Sequence, residues 1–292
     1  MMNLASLRDL ISRCSRNQIA TTADVERLKD RRVDMTEMTI FYLVLSLGAA
    51  NRMNTIEQLR NQSQQTFEMM SPTASSPSYL YSLSLMCFDC VVDKLCSSLV
   101  YMQVILLICI YSSYRPVGSN QWQLSGLAMR VSAFAPLREK RLFELTQPQM
   151  ASEMGLHCAY RGKQLAPQVK DDRARIFWTA YAIETSLAYN LGRPPSINDE
   201  HIGIELPCLP DDSLISVHYI RHRQIQSRVI SQVYLRSARS EGISETDQQN
   251  AILRLQSALD AWFDTLGVIH SSNLDCPFPR RYVMKHITMK TV

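Results

Sequence analysis

The side chains able to do chemistry are few, and their spacing keeps them apart. Cys87 and Cys90 form one Cys-x-x-Cys pair, followed by Cys96 and Cys109. A binuclear zinc cluster needs two such pairs and further thiolates at fixed spacing, and no second pair is present. Phe88, Val91, Val92 and Leu95 surround these thiols at core spacing, so they read as small core residues rather than ligands. His157 and Cys158 could suggest a nucleophile with its base, but adjacent helical residues point about 100° apart and do not make that pair. Arg173 and Arg175 could grip an acidic effector, yet they open a helix whose dipole opposes their charge, and intramolecular carboxylate partners are the expectation. Arg193, between Gly192 and Pro194, either lines an effector pocket or ties a loop to helix ends, with the second reading preferred. Asp199, Glu200, Glu205, Asp211 and Asp212 match no calcium loop and read as solvated loop charge. Gly-rich phosphate loops, metalloprotease helices and nucleophile elbows are missing. No catalytic, metal or cofactor-binding residue is assigned.

The element that must position these arginines runs from Asp171 to Pro207. Asp171 and Asp172 supply a helix start, since carboxylates accept the orphan N–H bonds of a first turn. Ile176, Ala180, Ile183, Leu187 and Leu191 recur every three or four residues, with Phe177, Tyr181 and Ala188 widening the stripe into a largely buried helix. Gly192 stands where a left-handed residue ends a helix, and Pro194 and Pro195 follow where the helix can no longer continue.

These residues carry a resemblance. The entry Arg173, Arg175, Phe177 and Trp178, the exit Leu191-Gly192-Arg193-Pro194, and a loop closing on Glu205-Leu206-Pro207 resemble the middle homology region of fungal zinc binuclear-cluster transcription factors of the xylanolytic-activator type. Upstream, Gly155-Leu156-His157, Trp122 with Gly126, and the apolar run Val104 to Ile110 fall in the order that region shows. The motifs are short, and their order, over roughly Asp34 to Asp212, is what is specific. The resemblance implies an all-α regulatory domain, nuclear localisation and transcriptional co-regulators as partners. It further implies a small-molecule inducer, and DNA contact only through a six-cysteine zinc module expected to be missing from this chain. Cys158 stands where the family usually has arginine, and Glu184-Thr185 where it often has aspartate-arginine, so a family ion pair is expected to be lost.

Composition agrees with a folded helical domain. In 292 residues, 46% are apolar and 20% charged, and a net charge of +4 is not gathered into the basic stripe that nucleic-acid binding needs. Eight scattered cysteines read as reduced intracellular thiols. The most apolar run, Leu99 to Tyr111, is too short to cross a bilayer and reads as a core helix, with no membrane partner expected. One or two short helices are expected around Leu7, Leu10 and Ile11. Further helices are expected over Thr36 to Asn51, with Gly48-Ala49-Ala50 in close helix contact, over Thr55 to Met70, and, after a loop from Ser71 to Ser78, over Tyr79 to Cys96 and Ser98 to Tyr114. Two more are expected over Leu214 to Arg239 and Glu245 to Leu266. The last presents Leu253, Leu255, Leu259 and Trp262 and is stopped by Gly267. No strand period persists, so the fold class is all-α, a multi-helix bundle of antiparallel pairs forming one domain over 1–292 with a core at 34–266 and a loosely ordered or truncated tail at 267–292.

One break looks genetic. Leu124, Leu127 and Ala128 begin a helical face that Ser132 to Pro136 does not continue, and Pro136 and Pro148 oppose a helix. Deleting Val131 to Gln149 joins Arg130 to Met150 and extends the face through Ala151 and Met154. Val-Ser can be encoded as GTAAGT and Gln as CAG, splice-site shapes, so 131–149 reads as a retained intron, against a genuine surface loop. The rival functional readings are a truncated or degenerate gene product, a stand-alone helical interaction protein and, last, a helical enzyme.

Overall fold

The computed structural model describes residues 4–15, 24, 27–28, 33–63, 76–92, 98–115, 121–133, 155–159, 165–207, 213–234 and 245–271. Their regular elements are all helical: α1 (Leu4–Cys14), α2 (Met35–Ser63), α3 (Pro77–Asp89), α4 (Leu99–Tyr114), α5 (Gln121–Ala133), α6 (Pro167–Leu191), α7 (Ser213–Val229) and α8 (Glu245–Ser271), with a 3-10 turn at Asp199–His201 and a π turn at Ile230–Tyr234. The all-α expectation holds, with no strand among the described residues. Cys96, Cys208, Cys276, Asp211, Asp212, Pro136, Pro148, Gly242 and residues 272–292 lie outside that set.

The chain forms two compact units, Met1–Ile183 and Glu184–Val292, and α6 runs through the boundary. In the first unit, α2 packs on α1, α3 and α4, and α4 on α5. Leu10, Cys14, Leu28, Met35, Met38, Phe41, Tyr42, Leu83 and Cys87 form one core between α1, α2 and α3. Leu43, Ala50, Tyr81, Val104, Ile108 and Tyr111 form a second between α2, α3 and α4. There Tyr81 and Tyr111 stack nearly parallel, with ring centroids 4.4 Å apart, an arrangement whose van der Waals contact adds to the area both rings bury. Helix α4 is apolar on every side because it is buried on most of them. Its start follows expectation: the Ser98 hydroxyl accepts the Tyr101 N–H at 3.1 Å.

Several expected boundaries are corrected. Helix α2 is continuous from Met35 to Ser63 rather than two helices, since nothing between Asn51 and Thr55 breaks it; the Thr55 hydroxyl bonds back to the Asn51 carbonyl at 2.9 Å. Gly48 is exposed, with no atom within 4 Å of where a Cβ would stand, so the close helix contact falls to the fully buried Ala50 instead. Pro77 and Ser78, expected in a loop, open α3, with proline at the first turn where its missing N–H costs no bond. Helix α3 ends at Asp89, short of Cys96. Helix α6 starts at Pro167, a turn before Asp171, and Lys170 already bonds to the Ala166 carbonyl at 3.1 Å. Helix α8 runs through Gly267 to Ser271, so that glycine is no terminator.

Candidate functional site

The motif residues fall on three local structures. On α5, Trp122 is half-buried and Gly126 is buried, with the Arg130 guanidinium 3.4 Å from the position a Cβ would take. Gly155 and Leu156 are both buried, and Gly155 has φ +32°. His157 and Cys158 are half-buried on a turn rather than a helix, closed by the Cys158 N–H donating to the Gly155 carbonyl at 3.0 Å. Their adjacency still assembles no base with a nucleophile.

On α6 the entry motif is a packing device. The Arg175 guanidinium forms a charge-assisted pair with Asp171 one turn earlier, its Nε donating to Oδ2 at 2.6 Å, and both side chains are 15% exposed. This is the intramolecular partner expected for that arginine, and it occupies the carboxylate expected to cap the helix. Arg173 is half-buried. Phe177 and Trp178 are buried with Tyr181 in an edge-to-face cluster, Phe177 lying 5.4 Å from Trp178 and Tyr181 lying 5.2 Å from Trp178. Ile176 and Ala180 are buried as expected, and Phe177, Tyr181 and Ala188, expected to widen the stripe, are buried with them. Ile183 and Leu187 are half-buried and Leu191 is 52% exposed.

The exit of α6 is built as the sequence implies. Gly192 has φ +63°, its N–H reaches the Tyr189 carbonyl at 3.4 Å, and the Arg193 N–H donates to the Ala188 carbonyl at 2.9 Å. These two bonds are a Schellman cap, and only glycine enters it without strain. Arg193 and Pro194 are exposed, and the chain then folds back along the helix. Glu184, 1% exposed, accepts both the Ser196 N–H at 3.0 Å and the Ser196 hydroxyl. A fully buried carboxylate is costly without donors, and here a serine of the exit loop supplies two. Next to it the Thr185 hydroxyl is buried without a hydrogen-bond partner. Ile197 is buried, Asn198 caps the 3-10 turn, and the Asp199 carboxylate accepts from Ser227 of α7 at 2.9 Å. Beyond it, Glu205 is exposed, Leu206 half-buried and Pro207 buried. Asp199, expected to be solvated loop charge, instead pins the loop to a helix.

A feature missed from sequence lies between α7 and α8. His218 and His222 are buried one turn apart, and both rings stack on Trp262, at 4.4 Å and 4.5 Å. The Trp262 indole N–H donates to the His218 carbonyl at 2.9 Å, and Thr265 bonds with His218 Nδ1 at 3.1 Å. Burial first, then the charge of Arg221, lowers His218 to about 4. Burial, Arg223 and His218 lower His222 to about 4. Arg223 is buried beside them, lying over the Tyr219 ring and donating to Gln226 and the Tyr219 hydroxyl. The signal available beforehand was the spacing of two histidines at i and i+4. Its partner Trp262, over forty residues away, is not readable from periodicity.

Three of the described thiols, Cys14, Cys87 and Cys109, are buried. Burial pushes Cys87 and Cys109 up to about 12 and Cys14 to about 11, so neutral thiol predominates near neutral pH. Cys90 is half-buried, with its Sγ 3.2 Å from the Met86 carbonyl. Among the described residues no three of His, Cys, Asp and Glu are grouped to hold a metal ion.

These features define an all-α domain whose named residues cap, pair and pack. The chain matches the family model described as the fungal specific transcription factor domain over residues 16–272, and it belongs to that family. It is 28% identical over 251 residues to Protein STB5 of Saccharomyces cerevisiae, covering 84% of this chain and 30% of that protein. It is 30% identical over 164 residues to the negative regulator of pleiotropic drug resistance STB5 of Candida glabrata, covering 54% and 15% respectively. An ABC-transporter-regulating transcription factor of Aspergillus oryzae is 28% identical over 134 residues, 41% of this chain and 15% of that one. The chain therefore spans less than a third of the length of these relatives. No solved structure matches.

Proposed function

We propose that this domain modulates transcription by RNA polymerase II in the nucleus, acting through a DNA-binding module attached to it or carried by a partner rather than by reading bases itself. The family match over residues 16–272 carries this reading, supported by relatives that are themselves named as transcriptional regulators. The physical argument is complementary: a net charge of +4 spread over 292 residues provides little counterion release on DNA. Regulation is then a shift between helix packings, with a small inducer or a co-regulator binding one packing better than the other. Zinc belongs to the DNA-binding module in this scheme, and the helical chain has no cofactor of its own.

The test is a fusion of residues 1–292 to a heterologous zinc-cluster DNA-binding module, read on a reporter gene in a fungal cell. The reading expects reporter output to differ from that of the DNA-binding module alone. Equal output, or a gel shift in which the unfused chain binds DNA specifically at sub-micromolar concentration in physiological salt, counts against it.

A further inference from the structure

The backbone around Gly155 is a helix cap whose helix is interrupted in sequence. The Leu156 N–H donates to the Ser132 carbonyl at 2.9 Å, directly after Gly155 with φ +32°, and Leu156 is only 1% exposed. A left-handed glycine followed by a residue whose N–H bonds a carbonyl of the last helical turn is the arrangement that closes α6 at Gly192 and Arg193. At α6 that donor and acceptor are five positions apart, as the motif requires. At α5 they are twenty-four apart.

Removing Val131 to Gln149 restores the ordinary count. Arg130 is then followed by Met150 and Ala151, so Ala151 takes the place of Ser132, and Leu156 follows it by five positions with Gly155 between them. Each role in the cap then has a residue suited to it. Ser132 is fully buried and spends its hydroxyl on the Met129 carbonyl at 2.7 Å within its own helix. Alanine therefore fills that slot with no polar group left over. Leu156 becomes the apolar residue that covers the final turn.

We infer that the functional domain is encoded without residues 131–149, and that Gly155 and Leu156 are the native C-terminal cap of a longer α5. The cap geometry is independent of the splice-site shapes in the codons and of the proposed function. It uses only described residues on either side of the gap, and it explains why Gly155-Leu156 returns to α5.

Two experiments test it. Reverse transcription and sequencing across codons 130 to 150 should find Arg130 joined to Met150 in the dominant message; a dominant message that retains the nineteen codons overturns the inference. At the protein level, the full chain and the chain lacking 131–149 are compared by thermal unfolding. Shortening the chain between Ser132 and Leu156 should raise the midpoint by about 3–6 °C. Gly155→Ala in the shortened chain should lower it by about 2–6 °C, because alanine is strained at positive φ. A shortened chain with a lower midpoint or no cooperative transition, or a Gly155→Ala variant with an unchanged midpoint, refutes the cap.

Discussion

Acidification is expected to destabilise the α7–α8 pair through two buried imidazoles. His218 and His222 are 5% and 3% exposed, and each is held at about 4 instead of the usual 6.5, first by burial and then by Arg221 for His218 and by Arg223 and His218 for His222. The buried His218 Nε2 and His222 Nδ1 have no hydrogen-bond partner, which disfavours a proton on either ring. In the unfolded chain both imidazoles take up a proton as the pH falls through 6.5, whereas in the folded chain they resist until about 4. Between those values the unfolded state holds more protons, so stability falls with pH. It is whole above 6.5 and reaches its floor below 4. At pH 5 the loss is about 2 kcal/mol per imidazole and about 4 kcal/mol for the pair. That is a large part of the 5–15 kcal/mol typical of a domain.

The assay is urea unfolding at pH 7.5, 6 and 5, followed by the fluorescence of Trp262 in a chain whose Trp122 and Trp178 are replaced by phenylalanine. The midpoint should fall steeply between pH 6.5 and 5. In the double variant His218→Phe and His222→Phe, which keeps rings against Trp262, that slope should flatten. A wild-type midpoint constant from pH 7.5 to 5, or a slope that survives the double substitution, refutes the reasoning. Salt separates the two causes: raising it screens the arginines but leaves burial untouched, so most of the slope should persist.

Glu184→Ala should destabilise by about 1–3 kcal/mol by stranding the Ser196 N–H and hydroxyl, and Glu184→Gln by less because its amide oxygen still accepts; denaturant midpoints rank the two. Gly192→Ala should cost about 1 kcal/mol at φ +63°, whereas Gly48→Ala, in an exposed helix interior with open space around it, should gain up to about 1 kcal/mol. Opposite shifts of the thermal midpoint check that pair. Asp171→Asn should weaken the pairing of Arg175 and lower stability by about 1 kcal/mol, an effect that added salt reproduces only in part because both groups are largely shielded from solvent.

What was legible in the sequence follows the range of the forces involved. The exit of α6 could be read residue by residue because a Schellman cap is local: its glycine and the prolines that follow lie within one turn. The start of α4 at Ser98 was legible for the same reason. Where tertiary packing decides, the reading slipped. Asp171 was assigned to a cap because acids favour helix starts, but Arg175 four residues on is the stronger partner, and Pro167 begins the helix instead. On α6 the expected period holds at Ile176 and Ala180 and fails at the C-terminal end, where Leu191 is 52% exposed, while the rings of Phe177, Trp178 and Tyr181 are all buried. On α8, Leu253 fits the helical period and is nonetheless 67% exposed, while Leu255 and Trp262 are buried. Periodicity says that a helix has a face; the neighbouring helix decides which one. The histidine pair marks the limit of local reading: the charges of Arg221 and Arg223 lie on α7 beside it, but the larger cause of its low proton affinity is burial, and only the packing of α7 on α8 brings Trp262 against both rings.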